Sequence, residues 1–312
     1  MARVAIFTAP KPFVDDHIKI IQNNAIRSWK ALGSDVEIWL VGDEEGVEQA
    51  TKELGVGYIP EVARNDSGTP RIDSIFGLVR EKSQAEYLCY VNADILLFPD
   101  LLETIDLVSK TKDKFLLIGR RWDADIDEPL QIQPGWGVGF IEKTTKRAKL
   151  HRAMGSDYFV FPRTIYTDIP PFAVGRAGWD NWMIFHGRVE HLPVIDTSNA
   201  ITVIHQNHDF AHFADGKKHR HQPESFENVD LAGGHYAMYT LYDTDFQMVD
   251  GKVVRSKLTW WKLGREISIF PAVTLKCTWL AKAFYALFNM KRVRKDAKKR
   301  KKMEESGRLK RV

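Results

Sequence analysis

Cysteine is scarce: Cys89 and Cys277 are the only two in 312 residues, too few for a disulfide framework. The cytoplasm is therefore the default expectation. No run of about 20 apolar residues exists to span a bilayer, and Met1-Ala2-Arg3 leads straight into strand-like residues without an apolar signal region. Net charge is also small, at +4, but it is unevenly spread. Residues 291–312 hold twelve Lys or Arg against three acids, a local net of +9, which leaves −5 on the other 290 residues. On charge, the body is thus excluded as a nucleic-acid binder, and any argument for a polyanionic partner belongs to the tail. The chain also lacks a Gly-rich, Lys-bearing phosphate loop after its first strand-like run, because Ala9-Pro-Lys-Pro12 is too stiff. That argues against a sugar-phosphate nucleotidyltransferase. No internal repeat is present.

What the chain does have is apolar bulk: 44% hydrophobic residues and nine Trp are enough for a full core. The centre of the pattern is Tyr87-Leu-Cys-Tyr-Val-Asn-Ala-Asp-Ile-Leu-Leu97, where an apolar run stops at Asn-Ala-Asp and then resumes. It reads as a buried parallel strand presenting an acid, Asp94, at its carboxyl edge. In open α/β sheets that edge is where ligands bind. Cys89, inside the run, reads as a buried apolar residue.

Around this stretch strands and helices alternate. Val4–Thr8 reads as a first strand. A helical stripe (Ile18, Ile21, Ala25, Trp29, Leu32) follows from Asp15 and Asp16 to Gly33. Val36–Val41 is the next strand, and Asp43 to Leu54 a helix capped by Asp43 and ended by Gly55. A helix bearing Ile72, Ile75, Phe76 and Val79 carries Arg71 and Asp73 in its first turn. A helix at 101–110 and a strand at 115–119 complete a nucleotide-binding half, a mostly parallel central sheet flanked by helices. Residues 120–139, with Arg-Arg-Trp and several acids, break the periodicity, which in a compact domain marks a functional or mobile loop. A basic helix is expected at 144–154, then a strand at 157–161 entered through Asp157. Gly175-Arg-Ala-Gly-Trp-Asp-Asn-Trp182 opens a helix to about Arg188, with Asp180 near its positive end. Late strands at 194–196 and 201–204 lead into His205-Gln-Asn-His208.

The chemistry-bearing residues are acids at element ends and histidines after the last strand. Asp94 either caps a turn or, with a distant imidazole such as His205 or His208, holds a divalent cation on a substrate's phosphates. Those histidines, with His212, His219 and His221, also fit a solvated loop. Asp180 either stabilises a helix start or handles a sugar hydroxyl, for which Trp179 and Trp182 offer flat apolar surfaces. Other readings remain open. One is a metal-dependent hydrolase built on His205 and His208. Another is a non-catalytic nucleotide-sugar-binding scaffold, to which Asn92 points.

Four segments carry a family resemblance over roughly residues 1–210: Tyr90-Val-Asn-Ala-Asp-Ile95, Asp157-Tyr-Phe-Val-Phe161, Gly175-Arg-Ala-Gly-Trp-Asp-Asn181 and His205-Gln-Asn-His208. The first resembles the strand-end Asp-x-Asp motif of nucleotide-sugar glycosyltransferases of the GT-A fold. The resemblance implies a nucleoside-diphosphate-sugar donor, a glycan or lipid-linked acceptor, and Mn²⁺ or Mg²⁺ bridging the donor phosphates. It implies Asp94 and one of His205 or His208 as metal ligands, and Asp157 and Asp180 as catalytic acids near the acceptor. Thr8, Ala9, Pro10, Arg71, Asp73, Asn92, Ala93 and Asp94 are expected on the donor side, and Trp179, Trp182 and Arg176 on the acceptor side. Asn92 stands where the family's first Asp is usual, and an amide oxygen is the weaker ligand.

The expected organisation is a GT-A-like catalytic domain at 1–210, divided at 119/120 into nucleotide and acceptor halves. A subdomain or loops at 211–269 follow, then an amphipathic helix and basic tail at 270–312. Leu275, Trp279, Leu280, Phe284, Leu287 and Phe288, with lysines alongside, describe a helix that either packs on the domain or lies in a membrane interface. Peripheral attachment to the anionic inner face of a membrane is the expectation, since each basic residue near such a surface contributes roughly 1 kcal/mol.

Overall fold

Side-chain alternation makes the central sheet apolar on both faces. In β1 (Val4–Thr8), Val4 and Ile6 join one cluster with Trp29 and Leu40, while Ala5 and Phe7 join another with Phe76 and Tyr90. In β4 (Tyr87–Val91), Cys89 and Val91 go to the first cluster, and Leu88 and Tyr90 to the second. The computed structural model describes residues 2–133, 135–208, 222–307 and 309. The other sheet strands are β2 (Val36–Val41), β3 (Gly57–Ile59), β6 (Leu116–Ile118), β9 (Tyr158–Pro162), β10 (Val194–Asp196), β12 (Phe246–Val249) and β13 (Lys252–Arg255). Among the described residues they form a nine-stranded sheet ordered β13-β12-β10-β6-β9-β4-β1-β2-β3. The fold is α/β with a mostly parallel central sheet.

β9 departs from the parallel pattern. It lies antiparallel between β4 and β6, so its first residue meets the last of β4, with Val91 opposite Tyr158. This reversal brings Asp157, which precedes β9, to the carboxyl edge where Asp94 follows β4. β12 and β13 continue the sheet beyond β10, so the sheet does not end at residue 210.

A second, four-stranded sheet is built from β5 (Ile95–Leu97), β11 (Val203–Gln206), β7 (Trp122–Ala124) and β8 (Lys149–Leu150). The expected loop at 120–139 therefore contains a strand. In place of a basic helix at 144–154 there is α5 (Gly137–Thr145) followed by β8. The helix sits earlier because Trp136 and Phe140 pack on Phe98, with ring centroids 5.1 and 6.4 Å away.

The helices α1 (Asp16–Lys30), α2 (Val47–Leu54), α3 (Ile72–Lys82), α4 (Asp100–Ser109) and α6 (Trp179–Val189) accompany the central sheet. Asp15 caps α1, accepting from the Ile18 N–H at 2.9 Å. From α1, the Trp29 indole donates to the Ile95 carbonyl (2.8 Å) and the Ser28 hydroxyl accepts from the Leu97 N–H (3.1 Å), which fixes β5 behind Asp94. Asp43 does not cap α2. The helix starts after Gly46, whose φ of 82° and close approach to Phe13 suit glycine, and Asp43 pairs with Arg64 instead. After α7 (Pro223–Leu231) and the β12–β13 hairpin, the chain closes with α8 (Trp260–Val273), α9 (Thr278–Phe288) and α10 (Met290–Glu305).

Candidate active site

Register brings the site together. β11 pairs antiparallel with β5, placing His205 opposite Ile95, and parallel with β7, placing His205 opposite Asp123. The Asp94 carbonyl accepts from the Gln206 N–H at 3.1 Å and from the Gln206 side-chain amide at 3.2 Å. The end of β11 is thereby fastened to the turn that carries Asp94. As a result Asp94 Oδ2 lies 3.1 Å from His208 Nε2 and 3.7 Å from His205 Nε2. One ligand atom from each of the three residues fits within 4.8 Å of the others. His212, His219 and His221 lie outside the described residues.

This cluster is strongly charged. Burial opposes ionisation of Asp94, yet His205, His208 and Lys11 hold its carboxyl well below the usual carboxylate range. Burial likewise disfavours a cationic His205, but Asp94 and Asp123 push the ring up to about 9. Asp123 also escapes the upward effect of burial and is held low by His205, His151 and Arg121. It lies 2.8 Å from both Arg121 Nε and His151 Nδ1.

The residues present fit a divalent cation on two counts. Asp94 Oδ1 is buried and has no hydrogen-bond partner among the described residues. His205 turns Nε2 toward Asp94 and Nδ1 toward Asp123 Oδ1 at 3.4 Å, the orientation in which a carboxylate sets a ligating imidazole. His208 Nε2 sits 3.1 Å from the Lys11 ammonium as well as 3.1 Å from Asp94. A single ring nitrogen cannot accept from the lysine and donate to the carboxylate at once, so only one of the two contacts is a hydrogen bond in a given tautomer.

Asn92 engages Asp157 through both of its nitrogens. Its N–H donates to the Asp157 carbonyl at 3.0 Å, and its side-chain amide donates to Asp157 Oδ1 at 2.8 Å. Arg121 Nη1 donates to the same carboxylate oxygen. Asp180, in the first turn of α6, accepts from the Gly178 N–H at 3.2 Å. Burial, reinforced by Asp157 against the pull of nearby backbone amides, pushes its carboxyl up to about 6.

A cleft of about 590 Å³ joins these groups, a volume suited to a nucleotide-sized ligand. Of the residues expected from the sequence, Ala9, Pro10, Asn92, Ala93, Asp94, Asp157, Arg176, Trp179, Asp180, His205 and His208 line it. Thr8, Arg71, Asp73 and Trp182 do not. Thr8 is wholly buried, Arg71 and Asp73 grip each other at the start of α3, and Trp182 packs its ring on His186 (4.6 Å) and Phe172 (5.3 Å). Trp179 is also largely buried, edge-on to Tyr90 at 5.0 Å, so it forms the cleft wall rather than a free platform. Arg176 is engaged with Glu224 at 2.6 Å.

The structure adds Lys11, Arg121 and Asp123. Lys11 is fixed by Gln22, which accepts from its N–H (2.7 Å) and donates to its carbonyl (3.0 Å). Burial lowers its ammonium from the ordinary value, against the attraction of Asp94. Its position directly after the first strand was the available signal. Arg121 and Asp123 were marked only by the break in periodicity over 120–139, because the short strand that carries them lacks a clear period of its own.

No family model matches the chain, and no curated protein does. Among solved structures it is similar to a mannosyltransferase from Pyrobaculum calidifontis in complex with GDP-mannose and Mn²⁺. Identity is 10%, 65% of this chain and 56% of that one are covered, and the TM-score is 0.43. This chain thus spans little more than half of that protein. It is also similar to Mycobacterium tuberculosis glucosyl-3-phosphoglycerate synthase in complex with Mg²⁺ and UDP, at 10% identity, 82% and 87% coverage and a TM-score of 0.45. At such identities and scores, the functional reading rests on the site itself.

Proposed function

We propose that this protein is a glycosyltransferase, moving a sugar from a nucleoside-diphosphate-sugar donor to a hydroxyl of a glycan or lipid-linked acceptor. The observation that carries the reading is the convergence of Asp94, His205 and His208 in one cleft with Asp157 and Asp180. One carboxylate and two imidazoles suit Mn²⁺ better than Mg²⁺, which prefers oxygen ligands. When bound by these three residues, the cation supplies positive charge to a departing diphosphate.

The remaining steps belong to the chain's own groups. Lys11 adds a second positive charge at the same end of the cleft, where leaving-group charge collects. Ala9 and Pro10 border the nucleoside, and Asn92 fixes Asp157 at the edge of the sheet. Arg121 holds Asp157 oriented toward the acceptor. Asp180, with a carboxyl near 6, is ionised at neutral pH yet basic enough to take a proton from the attacking hydroxyl. Trp179 walls the sugar site and Arg176 stands at its rim.

Thermal unfolding with UDP or GDP, each with and without Mn²⁺, tests the reading. Nucleoside diphosphate with Mn²⁺ raises the midpoint more than either does alone. Stabilisation by metal alone would favour a hydrolase, and no response to nucleoside diphosphate would overturn a nucleotide-sugar site altogether.

A further inference from the structure

α8 is charged on the inside and apolar on the outside. Its charged residues turn inward: Lys262 Nζ donates to the Tyr242 and Thr244 carbonyls at 2.8 and 2.9 Å, Arg265 pairs with Asp243, and Glu266 accepts from Arg188 at 2.9 Å. Its outward stripe, at helical spacing, carries Trp260 (89% exposed), Ile267 (58%) and Phe270 (47%) without a charge. A surface helix ordinarily shows the reverse arrangement. α9 likewise exposes apolar side chains, Trp279 (72%) and Leu287 (64%), and buries Ala281, while its one charged residue, Lys282, is exposed beside them. α10 follows after Asn289 with nine Lys or Arg, three acids and no buried residue.

We propose that α8, α9 and α10 form a docking surface for an anionic lipid bilayer. Exposed tryptophans and aliphatic side chains enter the headgroup boundary while neighbouring basic residues meet anionic headgroups. No described helix is long and apolar enough to cross a membrane, so these helices lie along the surface. A second copy of the chain fits less well, because pairing like faces would bring the positive α10 helices together. A lipid surface complements both the apolar stripe and the charge.

The test is co-sedimentation of the full chain with vesicles of phosphatidylcholine alone or with about one third phosphatidylglycerol, at low and high salt. The chain pellets with the anionic vesicles at low salt, and binding falls with salt. The double variant Trp260→Glu/Trp279→Glu lowers binding by roughly tenfold, as does Lys295→Glu/Lys298→Glu. All four positions are exposed, so unfolding midpoints stay unchanged. The proposal is overturned if the chain stays in the supernatant, or if the variants pellet as it does. Light scattering that shows a dimer broken by the tryptophan variant, without vesicle binding, overturns it too, as does retention on nucleic acid alone. No nucleotide sugar is present in the assay, so its failure leaves the sugar-transfer reading standing, and the reverse also holds.

Discussion

Asn92 and Asp157, 65 residues apart, are joined twice, backbone to backbone at 3.0 Å and side-chain amide to carboxylate at 2.8 Å. The amide at position 92 is a donor that the neighbouring carboxylate requires. Asn92→Asp would replace that bond with two facing acids. The variant is expected to lose roughly 1–3 kcal/mol of stability at pH 7, part of it regained at pH 5. Urea unfolding at the two pH values measures this. A variant as stable as the parent, or one binding Mn²⁺ more tightly, would mean that Asn92 is a weakened ligand.

Asp94→Ala removes the carboxylate between His205 and His208. Mn²⁺-dependent stabilisation disappears, and transfer falls by on the order of 10²–10³-fold, while far-UV circular dichroism is kept. Asp123→Asn leaves the three ligands in place and disturbs the orientation of His205, along with the Arg121 and His151 contacts. It weakens Mn²⁺ binding by roughly 10–100-fold, read by titration calorimetry without any substrate.

Asp180→Asn separates stability from activity. The folded carboxyl titrates near 6 against an ordinary 3.8, so the folded state holds its proton more tightly. Its contribution to stability is complete below about pH 4 and is lost as pH rises through 6. At pH 7 the neutral amide is therefore expected to stabilise the fold by roughly 1–2 kcal/mol while transfer is lost. In the parent, kcat/KM should fall on the acid side with a midpoint near 6. An unshifted acid limb in the variant's residual activity would assign the base elsewhere.

Lys11→Met tests the positive charge beside His208. Affinity for UDP or GDP drops by roughly 10–100-fold, as for loss of a charge-assisted hydrogen bond. Affinity for the bare nucleoside is unchanged. Equal losses for both would show that Lys11 only shapes the loop held by Gln22.

Trp182→Ala opens a hole between Phe172 and His186, and is expected to cost about 3–5 kcal/mol. The folded fraction keeps its acceptor KM, because this ring does not line the cleft. A raised KM with unchanged stability would return Trp182 to the acceptor side.

Much of this was legible in the amino-acid order. Periodicity gave β1, α1, β2, α3, β4, α6 and β10 nearly to their ends, since burying an apolar face leaves a repeat of two or 3.6 in the sequence. The acid just after β4 and the imidazoles in and after β11 could be named for the same reason. The β7–β8 pairing was hidden, because strands of two or three residues show no period. Nor does a strand's own composition state which way it runs: β9 reads alike in either sense, yet its reversal carries Asp157 to Asn92. Lys11, too, looked like part of a stiff loop until folding set it beside His208, 197 residues away. Residue order sets which side chains are apolar, charged or element-ending. Which of them meet is set on folding, because pairing direction and register are settled between segments distant in the chain and not within any one of them.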